Sequence, residues 1–158
     1  MYHGAVKYDL IASAVKRVHC PVLANGNIHS ATKALDVLAQ TGAAGVMVGR
    51  WAVGNPWIFN QIRQALRGET ITPVPFFEVR NYIDRLWQTP YSATMPVRSR
   101  VGYLKMFLNY IALQVDETGD FLRLMRQTQT EVELLNLCDR VFLTDLTKNL
   151  ALAPSLIL

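Results

Sequence analysis

Residues 20–50, CPVLANGNIHSATKALDVLAQTGAAGVMVGR, constrain the fold more than any other stretch, because two short apolar runs there each end at a glycine and each precede a helix-like segment. The runs are Val22-Leu23-Ala24 and Val46-Met47-Val48, and the glycines lie in Asn25-Gly26-Asn27 and Gly49-Arg50. Ser30 has the chemistry of an N-cap, residues 31–39 favour helix, and Gly42 offers an exit. After the second run, Asn55 is expected to cap a further helix with Pro56 at its first position and Gly68 near its end. The order is β-α-β-α. Strands joined through a helix lie parallel, so the loops that follow them fall on one edge of the sheet.

That topology brings Asn25-Gly26-Asn27 beside Gly49-Arg50. Glycine lets backbone amides approach an anion closely, and Arg50 adds a charged fork of donors. Each glycine taken alone also suits a tight strand-to-helix turn, and spacing does not separate the two readings.

The wording around the glycines does more. PVLANGNI followed by GVMVGRWAVGNPWIF resembles the tRNA-dihydrouridine synthase family, whose pattern is PV(I/L)ANG(D/N)I, a helix, (V/L)M(I/V)GR, a small-residue turn and NPWIF. The likeness runs almost unbroken over residues 8–59. It implies α/β plus all-α architecture: the C-terminal quarter of a (β/α)8 TIM barrel, with these as its seventh and eighth strands, then a helical bundle domain. It also implies FMN, its phosphate held by Asn25, Gly26, Asn27, Gly49 and Arg50, in keeping with the phosphate sites such barrels build from their last two loops. In the family, FMN reduces a tRNA uridine to 5,6-dihydrouridine and NADPH re-reduces the flavin.

A complete barrel takes about 250 residues, and this chain has 158. Residues 2–18 resemble the loop and helix after the sixth strand. By the same resemblance, the cysteine acting as general acid, a lysine and a histidine near the flavin, and most contacts to its ring belong to an earlier portion. The chain is therefore expected to be the C-terminal part of such an enzyme and inactive alone. A separate N-terminal barrel portion or self-association would be needed to cover its open strands.

No catalytic residue and no metal site is assigned here. Cys20, before Pro21 at the start of a strand, and Cys138, within LLNLCDR, read as small core residues. His3 lacks the Arg-Thr that would continue the family's H-x-R-T motif. His19 and His29 are expected to face solvent, with His29 near enough to the first loop to serve as a ligand. Trp57 and Phe59 are expected to bury against the barrel wall. Trp51, where the family has a small residue, is placed to shield the flavin site.

Residues 68–75, GETITPVP, interrupt both periodicities, so the expected division is 1–70 as barrel segment, 71–75 as linker and 76–158 as helical domain. Helices are expected at 76–88, 97–115, 118–128 and 131–142, with the apolar tail 146–158 packed on the helices or the barrel. On the wheel of 97–115, Val101, Leu104, Leu108, Ile111 and Val115 form one stripe, while Arg98, Lys105 and Asn109 share a flank opposite Tyr103, Phe107 and Tyr110. No acid occurs between Arg85 and Val115, so the +4 charge of the chain is concentrated around Arg80, Arg85, Arg98, Arg100 and Lys105. Either this is a solvated helix face or it meets a phosphate backbone. The resemblance favours tRNA: R-x-x-Y-L-K-x-x-L-x-Y from Arg100 is similar to the family's R-x-x-K-H-x-x-W-Y helix, with its His and Trp replaced. Arg98, Arg100 and Lys105 are the expected RNA contacts.

The two distant cysteines suggest no disulfide, and no apolar run is long enough to cross a bilayer; a cytoplasmic location is expected. Two other readings remain open at this point. One is a different FMN barrel oxidoreductase, similar to dihydroorotate dehydrogenase; the other is a non-enzymatic RNA-binding remnant with vestigial loops.

Overall fold

A computed structural model describes residues 5–115, 118–145 and 147–150. The chain forms two compact units, Met1–Thr72 and Pro73–Leu158. The first mixes α and β; the second is a bundle of helices.

In the first unit, α1 (Tyr8–Arg17), β1 (Leu23–Asn25), α2 (Ala31–Thr41), β2 (Gly45–Met47), a single turn α3 (Trp51–Gly54) and α4 (Ile58–Leu66) follow in order. The strands pair in parallel, with Leu23 opposite Gly45, Ala24 opposite Val46 and Asn25 opposite Met47. Ser30 starts α2 by accepting the Lys33 N–H (3.1 Å), and Gly42 ends it in the left-handed region at φ 67°, donating to Leu38 O at 2.9 Å. The small residues of α2 allow close packing. Ala31, Ala34 and Val37 meet Ala24, Ile28, Ala43, Ile58 and Ile62 in one core, with Ile11 and Val15 of α1 against its side. Strand periodicity turns Ala24 into that core and leaves Leu23 63% and Met47 50% exposed on the other face.

The segment after β2 departs from expectation. Asn55 does not cap a helix beginning at Pro56: α4 starts at Ile58 without a side-chain cap, and the buried Asn55 instead donates Nδ2 to Gln61 Oε1 at 2.9 Å. Burial makes an internal amide partner worth more to Asn55 than a solvent-facing cap. Phe59 is 45% exposed, not buried, because Ile58 and Ile62 already occupy the inward face of α4. Cys20 is exposed rather than part of the core, since it precedes the strand and lies outside the register that buries Ala24.

The second unit contains α5 (Phe76–Trp87), a short α6 (Pro90–Ala93), α7 (Val97–Val115), α8 (Asp120–Gln127) and α9 (Glu131–Phe142). Thr130 and Glu133 form a reciprocal capping box at α9. The α7 stripe is core at Val101, Leu104, Leu108 and Ile111, and fades to half-buried at Val115. Phe142 joins the layers, with its ring 5.4 Å from both Phe76 and Phe121 in edge-to-face contacts. Arg80 reaches across from α5 to α9, with Nη1 on Asp84 and Nε on Asp139, each at 2.5 Å. Burial opposes its charge, but those two carboxylates outweigh the penalty and raise its pKa. The tail segment folds back: Leu150 N–H donates to Val74 O (2.7 Å), Phe76 N–H donates to Lys148 O (3.0 Å), and Leu150 is buried. The rest of the tail and His3 lie outside the described residues.

Candidate functional site

The parallel register carries Asn25 and Met47 to the same level, so the loops leaving β1 and β2 emerge side by side. In the first loop Gly26 sits at φ 141° and Asn27 at φ 46°, both positive. An L-residue at Gly26 would be strained, and its Cβ would overlap the Val6 side chain, so only glycine lets this loop lie against the chain beneath it. Tyr8 supports the loop from the same side, donating its hydroxyl to Gly26 O at 2.6 Å. Lys33 in turn places its ammonium 5.1 Å from the Tyr8 ring centroid.

The second loop has open space at Gly49, and Arg50 is exposed at the start of α3. Trp51 joins the loops. Its indole Nε1–H donates to Asn27 Oδ1 at 3.1 Å, and its ring lies 5.6 Å from that of His29 in an edge-on contact. Its bulk at this position thus serves as a tie between two loops that no backbone ladder connects.

His29 differs from the solvent-facing residue expected. It is half-buried, and its Nδ1 is fully enclosed without a hydrogen-bond partner. Burial, and secondarily the Lys33 charge, push its imidazole below the ordinary value, which keeps it neutral at pH 7. Directly after it, Ser30 opens α2, accepting the Lys33 N–H, so the positive end of that helix follows three residues after the first loop. Asn25, Gly26, Asn27, Gly49 and Arg50 are therefore neighbours, gathered with Trp51, His29 and the start of α2. A left-handed turn, a helix start and a guanidinium make this a fitting cradle for a phosphate.

The three cations expected to face RNA are dispersed in role. Arg98 is exposed. Arg100 lies 3.9 Å from the Trp87 ring centroid and donates Nη2 to Trp87 O at 3.1 Å and Nε to Ser92 Oγ at 3.3 Å, which fixes the turn before α7. Lys105 donates Nζ to Thr128 O at 2.5 Å and to Arg126 O at 3.2 Å, closing the C-terminal end of α8. On the other flank, Tyr91, Tyr103 and Phe107 form an edge-to-face ladder with centroid spacings of 5.6 and 5.0 Å.

Neither cysteine lies at the loops. Cys138 is buried in α9 and its thiol is pushed up to about 12, chiefly by desolvation, while exposed Cys20 precedes β1 at the end opposite the loops. Val6 and Tyr8 escape a motif reading as supports of the site, and Trp51, expected there as a shield, is bonded to Asn27 of the first loop. A tyrosine at a helix start and a tryptophan after Gly-Arg are the local signals that accompany them.

Comparison with known proteins gives a consistent result. The family model described as Dihydrouridine synthase (Dus) matches residues 1–147. The tRNA-dihydrouridine synthase B of Escherichia coli (strain K12) is 42% identical over 84 residues, covering 52% of this chain and 26% of that relative. The proteins of the same name from Yersinia pestis and Klebsiella pneumoniae are each 42% identical, over 85 and 84 residues. The aligned part of the chain spans about a quarter of the length of these curated relatives.

Proposed function

The chain belongs to the dihydrouridine synthase family, and on that premise we propose that its α/β unit anchors the phosphate of FMN for the NADPH-driven reduction of uridine to 5,6-dihydrouridine in tRNA. The observation that carries this reading is the pairing of Asn25-Gly26-Asn27 with Gly49-Arg50 at the carboxyl ends of adjacent parallel strands, tied by Trp51. When bound here, FMN in its reduced form would supply a hydride to one carbon of the uracil 5,6 double bond, the other carbon taking a proton.

The work of these residues is binding and orientation. Gly26 and Asn27 hold a concave turn, Arg50 offers a bidentate charged contact, and the start of α2 adds its partial positive charge. His29, neutral and wedged against Trp51, packs the loop without adding a competing charge. No proton donor is assigned within this chain, because the Cys138 thiol is buried and Cys20 stands away from the loops. In the helical unit, exposed Arg98 is the proposed phosphate contact for tRNA; Arg100 and Lys105 contribute by shaping α7 against its neighbours.

Equilibrium titration of the full chain with FMN and with riboflavin tests the anchor. FMN is expected to bind at least about 10-fold more tightly, since a charged hydrogen-bonded contact is worth about 1.5–3 kcal/mol. Arg50→Ala should erase that preference while leaving riboflavin binding unchanged. Equal binding of the two flavins would sink the anchor. Binding of neither, together with tRNA affinity that falls with salt and drops in Arg98→Ala, would favour a non-catalytic RNA-binding role instead.

A further inference from the structure

The peptide joining Gly26 to Asn27 carries a dipole of about 3.5 D, and the way it faces decides whether the first loop attracts or repels an anion. It is trans, so the Gly26 carbonyl and the Asn27 N–H point to opposite sides. A half-turn of this one peptide changes only ψ of Gly26 and φ of Asn27. It would take Asn27 out of the left-handed region, where it sits at φ 46°, into the ordinary extended range. Local preference therefore favours the opposite orientation, and something outside the loop holds the observed one.

Tyr8 supplies that hold. Its hydroxyl donates to Gly26 O at 2.6 Å across 18 residues of chain, drawing the carbonyl toward the start of α1. The phenol is half-buried, and burial pushes its pKa above the ordinary value, so it remains a donor throughout the neutral range. The Lys33 ammonium lies 5.1 Å from the centroid of the same ring, and the Val6 side chain fills the space beside Gly26 where a Cβ would stand. With its carbonyl partner drawn to Tyr8, the Asn27 N–H faces the other way. Asn27 is exposed, and among the described residues this N–H has no hydrogen-bond partner.

We propose that Tyr8 is a positioning residue for the phosphate site, fixing the Gly26–Asn27 peptide so that the Asn27 N–H, and not the Gly26 carbonyl, is presented to the anion. This rests on the reading of the two loops as a flavin phosphate anchor. With the peptide turned over, a carbonyl oxygen would face the phosphate in place of a donor, exchanging attraction for repulsion at one point of the cradle.

Two measurements on the full chain test it. Titration with inorganic phosphate, followed in amide spectra, is expected to move the Asn27 N–H most among residues 25–29. Tyr8→Phe keeps the ring and its contact with Lys33 while removing the hydroxyl that holds Gly26. Its FMN affinity is expected to fall about 3-fold or more with riboflavin affinity unchanged, the difference one neutral hydrogen bond makes, and its Asn27 response to phosphate should shrink. An Asn27 amide that ignores phosphate in the natural chain overturns the proposal however the variant folds. So does a Tyr8→Phe chain that keeps the full preference for FMN, or one that loses FMN and riboflavin equally, which marks general loosening and a merely structural tyrosine. Those outcomes leave the anchor reading in place, whereas equal binding of the two flavins by the natural chain removes both.

Discussion

In the α/β unit the core is built largely of small residues, with Ala24, Ala31, Ala34 and Ala43 set among Val37, Ile28, Ile58 and Ile62, whereas the helical unit closes on Phe76, Phe121 and Phe142 with Leu, Ile and Met around them. Small residues bring α2 close to the strands, and that closeness positions the loops. Each, however, buries little apolar area, so the α/β unit draws less of its stability from side-chain volume. Its sheet also leaves Leu23 and Met47 open on one face. The site-bearing unit thus depends on backbone conformation at a few positions, and the helical unit on packing.

The largest effect expected to sharpen this contrast is that of Phe142→Ala, which empties a fully buried position touching two other rings and should cost about 3–5 kcal/mol. Thiol labelling reads it out unit by unit. Exposed Cys20 should react in the native protein, while buried Cys138, with its thiol pushed up to about 12, should react only when the helical unit opens. The variant should accelerate Cys138 modification by about 100-fold or more and leave Cys20 unchanged. Amide exchange in α2 accelerated to the same degree as Cys138 labelling would show a single cooperative structure and break the contrast.

Next in size is Gly26→Ala. Strain at φ 141° and overlap with Val6 should cost about 1–3 kcal/mol, confined to the α/β unit. Amide exchange should quicken in β1 and α2 while Cys138 labelling stays as it was. Trp51→Phe removes one exposed neutral hydrogen bond and should cost no more than about 0.5 kcal/mol. The cross-peaks of Asn27 and Gly26 in an amide spectrum should nonetheless shift, and an unchanged loop spectrum would show that Trp51 ties nothing.

The smallest effect is a pH dependence. The folded-state pKa of His29 lies below its unfolded value, so its neutral form is favoured by folding. The unit is at full strength above about pH 6.5 and loses stability as pH falls from there through the folded value. Solvent screening of this half-exposed ring keeps the loss modest. His29→Asn should flatten the slope between pH 7 and 5 in a thermal melt; an unaltered slope would assign it to other groups.

Much of the backbone plan is legible locally. Ser30 and Gly42 bracket α2 as their cap chemistry requires, and the wheel of α7 correctly places Val101, Leu104, Leu108 and Ile111 inside. Where expectation failed, the competing term was tertiary. Asn55 has the right chemistry for a cap, but burial turned it toward Gln61. Cys20 looks like a core residue by type and is exposed by register. Arg80, Arg100 and Lys105 read as one basic surface, yet Arg80 is held by Asp84 and Asp139, Arg100 by Trp87 and Ser92, and Lys105 by the carbonyls of Arg126 and Thr128. A helical wheel shows the side of a helix and not what neighbouring helices offer to it.

The sequence by itself determined the two glycine loops, their place at the ends of neighbouring strands and the likeness that names the family, because turn conformation and parallel pairing are set by residues close along the chain. Only the tertiary structure decided that Trp51 joins those loops, that His29 is half-buried with its Nδ1 enclosed, and that the Gln114 amide is buried in the helical unit. Those properties depend on burial and on partners brought together from elsewhere in the fold, and no local pattern carries them.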